Sequence, residues 1–261
     1  MYKKRATMTH LKQDNITEYL IKLRRQKSNL VNLDDKRILD TQGITQDGLP
    51  TIAGLMLLGE YPQEFFPQLS VTAMVIQGKE MGDLGEDGER FTDNKRIEGT
   101  ISQMLEDTLA FVRRNIKIKT IVTEDGNRAD IPEYPLKALR EIILNALIHR
   151  DYSVHTERSP VRLVVYEDRL ELENPGGLYG RITVDDLGKA AADTRNPYIA
   201  GALEVMIQTE NRFSGIPTVI AELKKADMPA PVFIDRRGVF KVVFYKKHLF
   251  TIKPLIWCKR F

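Results

Sequence analysis

The chain has 261 residues, 42% hydrophobic and 29% charged, a composition typical of globular proteins and not of collagen, coiled coils or disordered chains. Its 39 Lys and Arg against 36 Asp and Glu leave a net charge of +3, too small to indicate nucleic-acid binding by itself. The single cysteine, Cys258, excludes an internal disulfide framework or a cysteine-based zinc site, and it fits a reducing, cytoplasmic compartment. No window approaches the ~20 apolar residues of a membrane span, so we expect neither membrane insertion nor secretion.

The first half of the chain predicts alternating helices and strands. Hydrophobic periodicity indicates helices over 48–59 and 97–112, and β-branched, alternating segments indicate strands over 70–77 and 116–122. The stretch 128–132 follows a polar turn, and we take it as a boundary between domains. The predicted division is therefore a mixed region over 1–128, a second domain over 129–250 and an unassigned tail over 251–261.

The second half begins with the clearest amphipathic helix of the chain. Pro135 marks its start, and the apolar positions form one face down to about His149. Further along, the patterns predict a hairpin over 159–174, helices over 197–208 and 217–226, and strands over 232–235 and 239–245.

Two polar residues on this helix are candidates for chemistry. Glu141 and Asn145 are four residues apart, so they stack on one helix face, which His149 shares. Asparagine is a poor helix former and costs a few tenths of a kcal/mol relative to alanine, which suggests another reason for its presence. A solvated polar face explains the spacing equally well, so the spacing alone decides little.

The order of motifs along residues 135–220 is more informative. The segments ALREIILNALIHRDYS, DRLELENPGGLYG, RNPYIA and SGIP resemble the GHKL superfamily of gyrase, heat-shock chaperone, histidine-kinase and MutL ATPases. The similarity is to the divergent branch known as the C-terminal domain of RecG-like ATP-dependent helicases. Upstream, TIAGLMLLG resembles the segment that precedes this domain in proteins with a Schlafen-type AlbA-like domain, usually described as transcriptional regulators.

The resemblance implies a site for ATP and Mg²⁺. Glu141 would orient or deprotonate the attacking water, and Asn145 would hold the Mg²⁺ that bridges the phosphates. Gly176 and Gly177 would let the backbone approach the nucleotide, and the Ser214–Gly215 pair would present free N–H groups to phosphate at a helix start. Without the resemblance, both glycine segments would be interpreted as plain connections.

Two departures from the superfamily pattern concern adenine recognition and turnover. The aspartate of a DxGxG loop is replaced by the sequence ENPGG, so either Glu173 or Asn174 would read the adenine amino group, depending on register. Phe213 stands where the phosphate loop has glycine, and its side chain disfavours positive φ and takes up space. We therefore expect hydrolysis to be slow or absent.

Arg195 and the basic clusters leave alternatives open. Arg195 would be a phosphate partner by the resemblance, whereas capping the preceding turn or pairing with Asp193 explains it equally well. Basic clusters such as Arg113–Arg114 raise the alternative of a non-enzymatic DNA- or protein-binding module on the same scaffold. DNA contacts are more readily expected from domains outside this sequence, and self-association stays open.

The sequence thus predicts an α/β protein. Its C-terminal part is expected to be a GHKL-like two-layer sandwich with helices on one side of a mixed sheet, and its N-terminal part a smaller mixed α/β region. Because the four histidines show no ligand spacing, no transition-metal site is expected.

Overall fold

The computed structural model describes residues 5–85, 87–122, 125–156, 158–189, 193–207 and 215–247. Within these ranges the α-helices are α1 (Gln13–Gln26), α2 (Asp35–Thr41), α3 (Ile52–Leu58), α4 (Ile101–Asn115), α5 (Leu136–His149), α6 (Pro197–Ile207) and α7 (Gly215–Lys225). The strands are β1 (Thr45–Gln46), β2 (Leu49–Pro50), β3 (Val71–Val75), β4 (Asp93–Ile97), β5 (Ile118–Val122), β6 (Arg128–Pro132), β7 (Val161–Val165), β8 (Arg169–Pro175), β9 (Val232–Arg236) and β10 (Val239–Tyr245).

The main sheet has six strands in the order β4-β3-β7-β8-β10-β9. Only β3 and β7 pair in parallel, and every other neighbouring pair is antiparallel. The strands β1 with β2, and β5 with β6, form two separate antiparallel pairs. The mixed α/β fold class predicted from the sequence is confirmed.

The helices α4 and α5 cover one face of this sheet. Inward side chains of β3, β7, β8 and β10 belong to the same buried cluster as the apolar faces of the helices. The helix α7 packs against α5, and α6 packs against α1 and α3 in the N-terminal part. One continuous core therefore runs from Leu11 to Phe244.

This core and the sheet cross the boundary predicted near residue 128. Strands β3 and β4 come from the N-terminal part, and β3 pairs with β7 of the C-terminal part over five residues. The hydrophobic face of α6 is likewise buried against N-terminal helices. The parts 1–128 and 129–250 therefore share their sheet and their core instead of having one each.

Two local predictions are corrected by the structure. The helix predicted from Ile97 begins at Ile101, because Thr100 caps it by accepting a hydrogen bond from the N–H of Gln103, while Ile97 ends the strand β4. The stretch 128–132, taken as a boundary between domains, is the strand β6, which pairs with β5. Its turn was recognised in the sequence, but its short polar strand was not.

Candidate functional site

The helix α5 presents the candidate residues on the less buried side. Leu139, Ile142 and Ile143 of this helix are buried against the sheet. Glu141 and Asn145 lie on the partly exposed side, as their spacing predicted. The helix therefore displays one carboxylate and one amide, a turn apart, toward its neighbour α7.

Asn145 contacts the first residue of α7. A Cβ atom placed on Gly215 would lie 2.9 Å from Nδ2 of Asn145 and 3.4 Å from its Oδ1, so the amide lies directly against the glycine. The first N–H groups of a helix have no intrahelical acceptors, and together with the helix dipole they favour anions. The structure thus brings two of the predicted residues together at a helix N-terminus.

Glu141 is half-buried and carries no hydrogen bond or ion pair with any described residue. Burial raises the pKa of its carboxyl, while the positive charges of Arg140 and Lys137 partly offset that effect. Arg140 itself pairs with Glu106, at 2.6 Å. A carboxylate without a partner and with a raised pKa is suited to accepting a proton.

The structure separates the two candidates for adenine recognition. Leu170 and Leu172 of β8 point into the core, so Asn174 points to the same side as α5 and Glu173 to the opposite face. On that opposite face, Glu173 forms ion pairs with Arg162 and, at 2.8 Å, with Lys241. These cations lower the pKa of Glu173 against the raising effect of its burial, which is the largest single influence.

Asn174 has the opposite character. Its side chain is 5% exposed, and its buried Oδ1 has no hydrogen-bond partner among the residues that the structure describes. Buried polar atoms are nearly always paired, because leaving one unpaired costs about 1–3 kcal/mol. An orphaned amide oxygen on the α5 side of the sheet is therefore a candidate ligand-binding group.

The glycine loop after β8 is filled by the protein's own side chains. A Cβ atom on Gly176, whose φ is +96°, would lie 2.2 Å from Nη1 of Arg195, and one on Gly177 would lie 2.5 Å from Oδ1 of Asp235. The space that the absent side chains of these glycines leave is thus occupied by Arg195 and Asp235. The backbone of the loop is held from both sides.

Arg195 holds the glycine loop against the end of α5. Its Nη2 donates to the carbonyl oxygen of Gly177 at 3.1 Å, and its Nη1 lies 3.4 Å from Oδ2 of Asp151. Asp151 therefore takes the place that the sequence interpretation gave to Asp193. His149 lies in the same region, where burial and then the charge of Arg195 lower the pKa of its imidazole.

Asn196 is a site residue that the sequence interpretation missed. Its side-chain amide donates to the carbonyl oxygens of Ile148 and Arg150, both at 2.7 Å. Both carbonyls lie at the end of α5, where no N–H of the helix itself can reach them. Asn196 therefore acts as a C-terminal cap supplied by another segment. The signal in the sequence was its position beside Arg195, directly before the proline that starts α6.

Two predicted elements of the phosphate loop, Phe213 and Ser214, lie outside the described residues. Within the described ranges, no three His, Cys, Asp or Glu side chains gather into a set that could hold a metal ion alone. A surface cavity of about 560 Å³ beside Glu60, Glu98 and Gln103 contains none of the predicted site residues. None of the helices that the structure describes has the length and apolarity of a bilayer span.

Comparison with protein families gives two matches. Residues 158–244 match the family described as "Putative ATP-dependent DNA helicase recG C-terminal", and residues 2–72 match a domain of unknown function. The first match covers β7 to most of β10 but not α5, which carries Glu141 and Asn145. No curated protein matches the sequence.

Among solved structures, the fold is similar to that of the DIP2311 protein from Corynebacterium diphtheriae, with a TM-score of 0.68 and 18% sequence identity. The similarity covers 93% of this chain but only 46% of that protein, so the chain spans less than half of its structural neighbour. At this identity the likeness establishes the fold alone. The sequence match identifies residues 158–244 as a RecG-like, ATPase-like domain.

Proposed function

We propose that this chain binds an adenine nucleotide together with Mg²⁺, between α5, the end of β8 and the start of α7, and that hydrolysis there is slow or absent. Nucleotide binding would act as a switch in a transcriptional regulator. The observation that carries the proposal is the contact between the Asn145 amide and Gly215 at the N-terminus of α7. It places an amide, whose Oδ1 is a hard oxygen ligand, beside a helix N-terminus where the N–H groups of Gly215 and Ile216 have no acceptor within the helix.

The side chains available fit Mg²⁺. This cation takes oxygen ligands, is commonly held by one or two protein groups plus phosphate oxygens, and keeps several waters. Oδ1 of Asn145 would be the protein ligand, and Glu141 would hold a water one helical turn away. When bound, Mg²⁺ would neutralise phosphate charge between α5 and α7.

Asn174 would contact the base. Its orphaned Oδ1 can accept a hydrogen bond from the exocyclic amino group of adenine, which would supply the missing partner. The Nδ2 of the same amide is a donor, and this distinguishes Asn174 from the aspartate of the wider superfamily. Adenine selectivity through an amide is expected to be weaker than through a carboxylate. Glu173 is not proposed as the residue that contacts adenine, because it forms ion pairs with Arg162 and Lys241.

Glu141 would act on water. Its raised pKa and the lack of a partner among the described residues suit a general base, and it lies on the same helix face as the proposed metal ligand. Slow turnover is proposed because Phe213 replaces a phosphate-loop glycine. Slow hydrolysis would give the bound state a long lifetime, as a switch requires.

One observation favours a second candidate, a non-enzymatic module on the same scaffold that contacts DNA or protein. The glycine loop, which would face the nucleotide, is held by Arg195 and Asp235. These two side chains occupy the space beside Gly176 and Gly177 that a nucleotide would otherwise approach. A nucleotide would have to bind beside Arg195 and Asp235 without displacing their side chains. If it cannot, the domain is retained for macromolecular contacts.

The deciding experiment is a thermal-shift and calorimetric titration of ATP, ADP and a nonhydrolysable analogue, with and without Mg²⁺. A ligand that binds only the folded state at a hundredfold excess over Kd stabilises by about 2.7 kcal/mol, so moderate affinity is visible. We expect a Mg²⁺-dependent shift that Asn145→Ala weakens and Glu141→Ala retains while abolishing turnover. The matched control is Asn32→Ala, which removes an exposed side-chain amide that is distant from Asn145 in the sequence.

The results separate the two candidates. No shift at millimolar nucleotide, with or without Mg²⁺, would reject nucleotide binding and favour the second candidate. Equal affinities of the wild type and Asn145→Ala would reject the metal assignment. Retention on duplex DNA that falls steeply with salt would support direct DNA contact, since phosphate contacts release counterions.

A further inference from the structure

The strands β5 and β6 form a projecting hairpin, here called the hairpin arm (residues 117–133). Every described side chain from Lys117 to Ile131 is exposed, and this includes both faces of the hairpin. Within the described part of the chain, its strands pair only with each other. The base of the hairpin arm is anchored to the rest of the chain, because Ile116 and Tyr134 on either side of it are buried. There the N–H of Glu133 donates to the carbonyl oxygen of Lys117 at 2.8 Å.

Such an arm is unusual for an element that only completes the fold. A two-stranded hairpin without a packed face is marginally stable in water. This one also exposes large aliphatic side chains, with Ile118 55%, Val122 73% and Ile131 46% exposed. Among the described residues the outer edges of β5 and β6 have no strand partner, and such edges present backbone N–H and C=O groups that are a template for pairing with another strand. The arm therefore has the properties of an interface that lacks its partner.

The charges of the arm argue against nucleic acid as that partner. From Lys117 to Glu133 the sequence carries three basic and four acidic residues, so the arm has a net charge of −1. On the arm, Arg128 pairs with Asp130 at 3.3 Å, and Asp130 also accepts a hydrogen bond from Thr120 at 2.6 Å. Binding to phosphates draws on an excess of positive charge, which this arm does not have.

The free edge of β5 is complementary to itself. Ile118, Thr120 and Val122 lie on one face of the strand, with the two aliphatic residues placed symmetrically about the threonine. An antiparallel second copy centred on Thr120 would place Ile118 opposite Val122 of the partner subunit, and threonine opposite threonine. Aliphatic and Thr–Thr cross-strand pairs are stabilising.

The edge of β6 lacks this property. Centred on Asp130, it would oppose two carboxylates, and like charges directly opposite are destabilising. We propose that two copies of this chain pair through the β5 edges of their hairpin arms, which forms a four-stranded antiparallel sheet and brings the exposed Ile118 of each copy beside Val122 of the other. Such an interface is isologous, as expected of a twofold dimer.

The first test is the mass of the full chain in solution, by sedimentation or light scattering over a concentration series. We expect a dimer whose Kd rises at least tenfold in Val122→Lys, and further in the double variant Ile118→Lys/Val122→Lys, which opposes lysines at both ends of the pair. The control is Val154→Lys, at a residue of similar exposure, 70%, outside the arm. Unchanged thermal unfolding of the variant monomers would show that they fold.

The second test is disulfide trapping in a Cys258→Ser background. In the proposed register Thr120→Cys lies opposite itself at about 4.5–5.5 Å between Cα atoms, within the range of a disulfide. Asp130→Cys would be three strand spacings from its copy, about 14 Å, and should not cross-link. A monomer at all concentrations, a dimer indifferent to Val122→Lys, or cross-linking through residue 130 instead of 120 would each overturn the proposal.

Discussion

The side-chain amide of Asn196 donates a 2.7 Å hydrogen bond to the carbonyl oxygen of Arg150, and so ties the segment before α6 to the end of α5. A second bond of the same length reaches the carbonyl oxygen of Ile148. The neighbouring Arg195 ties the same segment to the glycine loop at Gly177. The end of α5, the glycine loop and the segment before α6, which are separate in the sequence, thus meet at one place. The end of α5 is held by residues that do not belong to this helix.

The first prediction concerns the Asn196 cap. Asn196→Ala leaves two helix-end carbonyls without their donor, so we expect the free energy of unfolding to fall by about 1–3 kcal/mol. Asn196→Asp should lose at least as much, because a carboxylate would face the carbonyl oxygens. Urea denaturation measures both. Asn32→Ala, at an exposed turn position, should stay within about 0.5 kcal/mol of the wild type. A similarly small change in Asn196→Ala would contradict the assignment of the cap.

Local patterns in the sequence predicted most elements of this fold. The helix from Pro135, the hairpin after residue 158 and the last two strands follow from periodicity and turn residues, which are local signals. The strand β4, DNKRI, was missed because four of its five residues are polar and it lies at the sheet edge. The pairing of β3 with β7, across more than 80 residues, depends on tertiary contacts that local periodicity cannot reveal.

The second prediction concerns the glycine loop. In Gly176→Ala the added Cβ meets Nη1 of Arg195 and the Cβ of Asp151, on a backbone with positive φ. Strain and overpacking together should cost about 2–4 kcal/mol. Gly48→Ala is the matched control, because Gly48 also has positive φ, +76°, but nothing lies within 4 Å of its Cβ position. Its cost should be about 1–2 kcal/mol. Equal losses in urea denaturation would show that Arg195 does not constrain the loop.

Sequence reasoning identified the residues of the candidate site better than their contacts. The spacing of Glu141 and Asn145 on one helix face is a local property, and it determines their common orientation. The sequence could not distinguish Glu173 from Asn174, because a shift of one residue reverses the faces of a strand. The pairing of Arg195 with Asp151 was missed because the two residues are 44 positions apart in the sequence and meet only through the tertiary fold.

The third prediction concerns the contact between α5 and α7. Gly215→Ala places a Cβ 2.9 Å from Nδ2 of Asn145 and should displace the amide. We expect Mg²⁺-dependent nucleotide affinity to fall about tenfold, a loss of about 1.4 kcal/mol in binding free energy. Gly201→Ala in α6, where nothing lies within 4 Å of the added Cβ, should leave affinity unchanged and stabilise by up to about 1 kcal/mol. Calorimetric titration of both variants checks this, and unchanged affinity in Gly215→Ala would reject a role for Asn145.

The last prediction concerns Glu141 and pH. Burial raises the pKa of its carboxyl in the folded chain above the ordinary glutamate value, so the folded state holds this proton to higher pH than the unfolded state does. Below the unfolded pKa both states are protonated and the group carries no penalty. As pH rises through the folded pKa, the free energy of unfolding falls, and above it the full penalty of burying the charge remains.

Glu141→Gln removes this ionisation and keeps the shape of the side chain. The variant should therefore unfold at a higher temperature than the wild type at pH 7, and the difference should shrink toward zero as the pH is lowered to about 4, near the unfolded pKa of glutamate. Scanning calorimetry over this pH range measures it. Glu106→Gln, at the exposed partner of Arg140, is the control and should show no such gain at pH 7. A Glu141→Gln chain less stable than the wild type at pH 7 would mean that the carboxylate has a stabilising partner.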